Sequence, residues 1–460
     1  MSFVSRCFRR LHLLVPLAFL VTMGGCERLP PPAESGELVV GVREAAGFFE
    51  RTPEGYAGAE HDLVQGFANE LGLRVRFVTA NDPAGLAELL RKAKVHLALA
   101  RPNADNEFLH SQPIRRSKQV VAGISDGLAP EDLSELAGRE VQVIAGSPLA
   151  GVLRELPQPP VVLEVPDTDE AALLARVAES YNGLAAVHEI HLDLATNFHP
   201  DLRPLVRLPG EVALGWSFAG EGASALRAQA DTYLAEMQRN GGLARIHDRY
   251  FGHINRITAN NAAQFIEDIR NRLPDYRHDF QVAEELTGID WRLLAALAYQ
   301  ESKWDPLATS YTNVRGMMML TEDTADHLGV KNRLDPAESI RAGARYLQDL
   351  VEQIPSTTPM PDRLWLALAA YNLGMGHLRG GIVIGKSQQR DTDSWYEMKR
   401  VLPQLARPAI YSRLKSGRAR GGEAVIMVEN IRTYFDILAR FEAPHATPFP
   451  RQPSNRLRLR

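Results

Sequence analysis

Two hydrophobic rhythms divide the chain. Between residues 37 and 253, short apolar runs alternate with amphipathic ones. ELVVGVR (37–43), LRVRFV (73–78), VHLALA (95–100), REVQVI (139–144), GLAAVHEI (183–190) and EVALGWSFA (211–219) predict strands. HDLVQGFANELGL (61–73), LAELLRKAK (86–94), DEAALLARVAES (169–180) and a long stretch over 225–252, broken at Gly241 and Gly242, predict helices. Such alternation builds α/β units on mostly parallel sheets. From Thr258 onward the period is helical throughout. Helices are expected over 261–273, closed by Pro274, over 278–287, ended by Gly288, and from Trp291. Further ones are expected over 338–354, with Ile340, Ala344, Leu347, Leu350 and Val351 as the apolar stripe, over 362–373, ended by Gly374, and over 423–441. Prolines 336, 355, 359 and 361 separate these pieces. This part is an all-α domain of roughly 200 residues, within the usual domain range.

One stretch of the helical half stands out: LLAALAYQESKWDPLATSYTNVRGMMML, residues 293–320. Leu294, Leu297, Ala298 and Glu301 fall at i, i+3, i+4 and i+7 and share one helix face. Glu301 thus continues an apolar stripe, and Pro306 is expected to forbid continuation of the helix. A carboxylate at a helix C-terminus is disfavoured by the macrodipole, and burial raises its pKa. Both penalties suit a general acid that stays protonated near neutral pH.

Composition narrows the function classes. With 460 residues, 45% hydrophobic and 23% charged, the chain is ordinary globular protein of two or three domains. A net charge of −4 offers no electrostatic footprint for nucleic acid. Both cysteines, Cys7 and Cys26, lie near the N-terminus, so neither disulfide nor cysteine metal site is expected in the domains. The 13 histidines show no metal-ligand spacing, and no metal or cofactor is inferred.

The first residues read as an address. Arg6, Arg9 and Arg10 precede an apolar stretch over 13–23 that is too short for an ordinary spanning helix. Gly24 and Gly25 then precede Cys26, which resembles a bacterial export signal ending in a lipobox with Cys26 acylated. A plain cleaved signal or an uncleaved anchor is the alternative. The resulting division is an export signal at 1–25, a stiff Pro-rich linker at 26–36, an α/β domain at 37–257, a helical domain at 258–445 and a disordered basic tail at 446–460.

Several dispersed segments of the first half carry a family resemblance: GVR, YAGAEHDLVQGFANELG, LSELAGREVQVIAGSP and NGGLARIHDRYFG. In this order they resemble a periplasmic solute-binding protein of the amino-acid-binding type. The resemblance implies two α/β lobes around a ligand cleft, with an amino acid or muropeptide as candidate ligand. Members that clamp a carboxylate carry an Arg after a Thr-rich segment. Here that region reads ARPNADNEFLHSQP, Arg101 arrives early, and Ala104 falls near the expected position. Gly146 and Ser147, at a strand end, are candidates for holding an anion through backbone N–H groups. Asp62 is a matching acid or a first-turn helix residue.

Three motifs of the second half, ESKWDP, RGMMMLT and AAYN, resemble a soluble-type lytic transglycosylase domain with a goose-lysozyme-like helical fold. The two domains in this order are similar to the F subgroup of membrane-bound lytic murein transglycosylases. That resemblance implies cleavage of the MurNAc–GlcNAc β-1,4 bond of peptidoglycan with 1,6-anhydromuramic acid ends, at an outer membrane facing the periplasm. It implies Glu301 as the single acid/base, protonating the leaving oxygen and then accepting the proton of the substrate's own 6-hydroxyl. Ser302, Gly316, Met318, Met319, Tyr371, Asn372 and Glu423 follow as substrate-binding candidates. For each a structural role is the alternative: a helix-end hydroxyl on backbone, core methionines, a buried tyrosine, a first-turn glutamate. Met319 stands where relatives carry Gln. Two other function classes stay open. A hydrolytic muramidase would need a second carboxylate, for which Asp305, Glu322 and Asp323 are nearest in sequence. A solute or cell-wall-fragment sensor would carry an inactive lytic domain.

Overall fold

The computed structural model describes residues 29–445, apart from 53–54, 100–106, 126–128, 181 and 311–312. The export signal, Cys26, Arg101, Ala104 and the basic tail lie outside the described residues. Among the described residues no helix is long and apolar enough to cross a membrane. The stiff linker expected at 26–36 is docked from Leu29 on. Leu29 packs against the first-lobe core, and His96 Nε2 lies 3.0 Å from the Pro30 carbonyl oxygen.

The first half forms two lobes, each built on a five-stranded sheet. In the first, Glu37–Val42 lies between Arg74–Thr79 and Leu97–Ala98 in parallel, and the short Ser217–Phe218 returns antiparallel. In the second, Glu140–Ile144 pairs in parallel with Val161–Val165, whereas Arg115–Ile124 pairs antiparallel with Ala185–His188 and Leu202–Leu214. The sheets are therefore mixed, which corrects the mostly parallel expectation. The long antiparallel pair Arg115–Ile124 with Leu202–Leu214 was not anticipated as such. Its halves lack clean alternation because Val120, Val121 and Ala122 are buried on both faces of the sheet.

The second half is helical around one continuous core. Its centre is the helix Trp291–Ser302, packed against Leu273–Thr287 and Gly421–Phe441. Asp290 caps it by accepting the Arg292 amide at 2.9 Å. Leu293 through Tyr299 are all buried. The single apolar stripe inferred for this helix is thus too narrow a description: the helix has no wet face before Gln300. Pro274 does not close the preceding helix either, but lies in the first turn of Leu273–Thr287, where its missing N–H costs nothing.

The two halves meet over the helix Gly242–Phe251. Arg432 on the long C-terminal helix donates to the carbonyls of Asp248 and Arg249 at 2.9 and 2.7 Å, and to the Glu429 carboxylate at 2.8 Å. Lys399 bridges Glu429 and Asp248. Arg249 reaches Asp362 at 3.1 Å and Asp62 at 3.5 Å. Burial opposes ionisation of Glu429, yet Arg432, Lys399 and the Trp395 indole hold its carboxyl down to about 2.

Candidate active site

Glu301 occupies the last turn of the central helix, and the helix ends at Ser302, four residues ahead of Pro306. Lys303 and Trp304 both take left-handed backbone geometry, at φ +56° each. Two such residues cost on the order of 1–2 kcal/mol apiece. Trp304 offsets this by folding back into the core, its indole donating to the Ala295 carbonyl at 2.9 Å beside Phe265 and Tyr299. Burial of a side chain that large contributes about 2–3 kcal/mol. Lys303 stacks over Tyr299 and donates to the Tyr434 hydroxyl at 3.0 Å. The reversal after Ser302, and not Pro306, fixes the level at which Glu301 leaves the core.

Glu301 as a residue is partly exposed, and its carboxyl makes no hydrogen bond or ion pair among the described residues. Burial alone pushes it up to about 7. Asp305, the nearest in sequence, is exposed and accepts the Leu307 amide at 2.9 Å. Glu322 and Asp323 are exposed in the first turn of Glu322–His327.

The three motifs converge on one backbone loop. Ser302 Oγ lies 2.8 Å from the Met317 carbonyl and 3.1 Å from that of Ala298. Tyr371 Oη donates to the Met318 carbonyl at 2.8 Å. The Met318 amide in turn donates to Ser339 Oγ at 3.1 Å. The loop is thus pinned from three helices, with Glu301 at its edge. Tyr371 senses Glu301 directly: burial first, then the Glu301 charge and Tyr346, raise its hydroxyl well above the ordinary tyrosine range. The Tyr346 ring packs on that of Tyr371 at 5.2 Å.

This geometry corrects three substrate-contact expectations. Ser302 is buried with its hydroxyl on backbone, so it holds the loop and does not face the cleft. Met318 is fully buried against Gly343, where an added Cβ would come within 2.7 Å of it. Gly316, at φ +83°, is required by the Arg333 carbonyl, which would lie 1.8 Å from a Cβ there, and not by an approaching sugar. Met319 is partly exposed, and Asn372 is exposed beside Tyr371. Glu423 is exposed near the start of the helix Gly421–Phe441, within 3.4 Å of Arg420. It precedes Asn430 by two turns, about 10 Å along the axis, and Asn430 donates to Gln300 at 3.2 Å. Tyr346, Ser339, Gln300 and Asn430 had not been singled out. Tyr346 lies beside the apolar stripe of the helix Pro336–Glu352 and inside none of the motifs.

In the first half the interlobe cleft is lined by Arg43, Glu60, Arg115, Ser147, Glu170 and His188 among others. Ser147 faces it, but the Gly146 amide is taken by Glu164 at 3.0 Å and is not free for an anion. Asp62 instead accepts from the Tyr250 hydroxyl at 2.7 Å, at the domain junction.

Comparison with known proteins covers both halves. Residues 279–394 match the Transglycosylase SLT domain, and residues 38–253 match the Bacterial extracellular solute-binding proteins, family 3. A crystal structure of the P235GK mutant of ArgBP from T. maritima overlays at a TM-score of 0.43 and 17% identity, covering 48% of this chain and 97% of that one. Membrane-bound lytic murein transglycosylase F of Methylobacillus flagellatus is 36% identical over 455 residues, 96% of each chain. The protein of that name in Marinobacter nauticus is 38% identical over 445 residues, 95% of this chain and 88% of its own. With such identity over nearly its whole length, this chain belongs to the membrane-bound lytic murein transglycosylase F family.

Proposed function

We propose that the chain is a peptidoglycan lytic transglycosylase that cuts the MurNAc–GlcNAc β-1,4 bond and leaves 1,6-anhydromuramic acid ends. The observation that carries this reading is Glu301 at the edge of the pinned loop, its carboxyl without a hydrogen bond or ion pair among the described residues and raised to about 7 by burial. A retaining glycosidase places its second carboxyl ~5–5.5 Å away. Asp305, Glu322 and Asp323, the carboxylates nearest in sequence, are all exposed. Glu301 as the protonated acid gives its proton to the glycosidic oxygen, and as carboxylate it then takes the proton of the substrate's 6-hydroxyl. That hydroxyl attacks the anomeric carbon from within the same sugar, where a positioned partner has a large effective concentration. Met319, Tyr371, Asn372 and Glu423 line the path of the glycan, while Ser302, Gly316 and Met318 keep the loop in place.

The first half, taken as a domain over 37–257, is a ligand-binding module with an amino acid as ligand. The helical domain at 258–445 carries the lytic site. The export signal and Cys26 hold the enzyme peripherally or by lipid at the outer membrane, facing the periplasm. Digestion of purified peptidoglycan by wild type and Glu301→Gln, read by mass spectrometry, tests the chemistry. Anhydro ends from wild type and none from the variant are expected. Reducing ends would make the enzyme a hydrolytic muramidase, and equal product from both proteins would remove Glu301 from the reaction. No product from either would favour a sensor with an inactive lytic domain.

A further inference from the structure

One segment bordering the lytic cleft carries cations and no acid. Between Pro403 and Gly422 the chain has Arg407, Arg413, Lys415, Arg418 and Arg420, and no aspartate or glutamate. These residues are all exposed. Arg420 lies 3.4 Å from Glu423, whereas Arg407, Arg413, Lys415 and Arg418 make no ion pair among the described residues. The backbone that carries them is held. The Ala419 amide donates to the Leu405 carbonyl at 3.2 Å, and Gly421 lies so close to the Leu402 carbonyl that a Cβ there would come within 1.8 Å of it. Ile410 and Leu414 pack against the helical core. The fold thus fixes the segment and leaves its charges in water.

Its place is defined by two neighbours. Leu414 and Ser416 press on Gly380 of the helix Met375–Ser387, where a Cβ would meet them at 3.3 and 2.9 Å. That helix follows directly on Tyr371 and Asn372. At its other end the segment runs into the first turn of the helix Gly421–Phe441, which bears Glu423. The cations therefore lie between the Asn372 and Glu423 ends of the glycan path. The seam with the helix is not satisfied by the protein alone. Ser416 Oγ and His377 Nε2 are buried without a hydrogen-bond partner among the described residues. His377 Nδ1 lies 2.9 Å from the Leu373 carbonyl, so Nδ1 carries the proton and Nε2 is left as an unfilled acceptor.

A strand of N-acetylated sugars has no charge along its backbone, so unpaired cations beside its cleft serve nothing in the sugars themselves. The anionic part of peptidoglycan is its peptide, since every peptide ends in a carboxylate, and guanidinium forks match carboxylates. A membrane surface would also attract cations, but such binding draws on apolar burial as well as charge. None of the exposed large apolar side chains among the described residues lies in this segment. We propose that the segment is a docking rim for the peptide stems of peptidoglycan, with Arg413, Lys415 and Arg418 taking their carboxylates. The proposal rests on the peptidoglycan-cutting reading and adds that the lytic domain recognises the peptide as well as the sugars.

The test compares the full chain carrying Glu301→Gln, which binds without consuming the polymer, with the same protein further changed by Arg413→Gln, Lys415→Gln and Arg418→Gln. Binding is read by cosedimentation with intact peptidoglycan, with peptidoglycan whose carboxyls have been converted to amides, and with vesicles of phosphatidylglycerol and phosphatidylethanolamine. At low salt the triple change is expected to weaken binding to intact peptidoglycan at least ~fivefold. Amidation should do the same to the protein without the triple change, and the two losses should not add. Both should shrink as salt is raised. With Glu301 restored, the triple variant should show a higher KM on intact peptidoglycan and an unchanged kcat. Equal binding of intact and amidated peptidoglycan overturns the proposal without any variant at these positions, and so does a triple change that weakens both alike. Charge-dependent binding to the vesicles alone assigns the cations to a lipid surface and also overturns it. Glycan strands stripped of stems by an amidase that bind as tightly as intact peptidoglycan overturn it as well, since their only carboxylates belong to the sugars. The cutting reading is judged separately, by whether wild type releases anhydro ends.

Discussion

Glu301 in the lytic cleft and Glu60 in the interlobe cleft are both pushed up to about 7, and they arrive there by different routes. Burial alone acts on Glu301. Burial also dominates at Glu60, but Arg115 and Arg43 pull it back and Glu170 pushes it up again. The first glutamate has no ion-pair partner among the described residues, which suits an acid that holds a proton until a leaving oxygen arrives. The second stands in a field of opposite and like charges. A shared pKa therefore does not mean a shared task; the neighbours decide it.

The largest effect that would break this comparison is on the reaction. Glu301→Gln is expected to lower the rate of anhydro-end release by at least ~10²–10⁴-fold, the usual worth of general acid catalysis, measured on purified peptidoglycan. Full activity in the variant would make Glu301 no more catalytic than Glu60. Next in size is the junction between the halves. Glu429→Ala leaves Arg432 and Lys399 short of a buried partner and should cost about 3–5 kcal/mol of stability, read by urea denaturation. A loss below 1 kcal/mol would mean that the two clefts sit on halves coupled only weakly through this contact.

The pH dependence of stability separates the two glutamates further. Glu301 is protonated in the folded protein up to about 7 but ionises near 4.5 when unfolded. The contribution of Glu301 to stability thus falls as pH rises from about 4.5 to 7 and is flat beyond. Glu301→Gln removes that slope and should be more stable than wild type at pH 8 by on the order of 1–3 kcal/mol. Glu60→Gln also removes a slope, yet it deprives Arg115 of a nearby anion. It should gain less at pH 8 than Glu301→Gln, and equal gains would erase the difference in neighbourhood. For the lytic rate, the acid limb is expected to decline as pH passes about 7, seen in initial rates at fixed substrate. The smallest effect is that of Ser302→Ala. It loses the bond to the Met317 carbonyl, about 1 kcal/mol of stability, with a fall in kcat and little change in KM if the loop only positions the site.

Much of this was legible in the residues. The helix carrying Glu301, the Gly288 and Gly374 stops, the two-lobed first half and the three converging motifs all followed from periodicity, turn chemistry and resemblance. What failed did so for identifiable reasons. Pro306 was credited with ending a helix that Trp304 ends by folding back, a contact across nine residues that no local rule contains. Ser302, Gly316 and Met318 stand inside the motifs, so they were read as touching substrate. They touch the protein instead, because a loop held at a cleft edge needs more residues to fix it than to serve it.

The sequence alone determined where a carboxyl would leave an apolar helix and that two unlike domains follow one another, since both are written in local period and spacing. Only the tertiary structure decided that the Glu301 carboxyl has no ion-pair partner among the described residues, that Tyr371 and Ser302 grip one loop by its carbonyls, and that Arg115 and Glu60 face a single cleft. Solitude and pairing are properties of distance between segments far apart in the chain, and distance is set by packing.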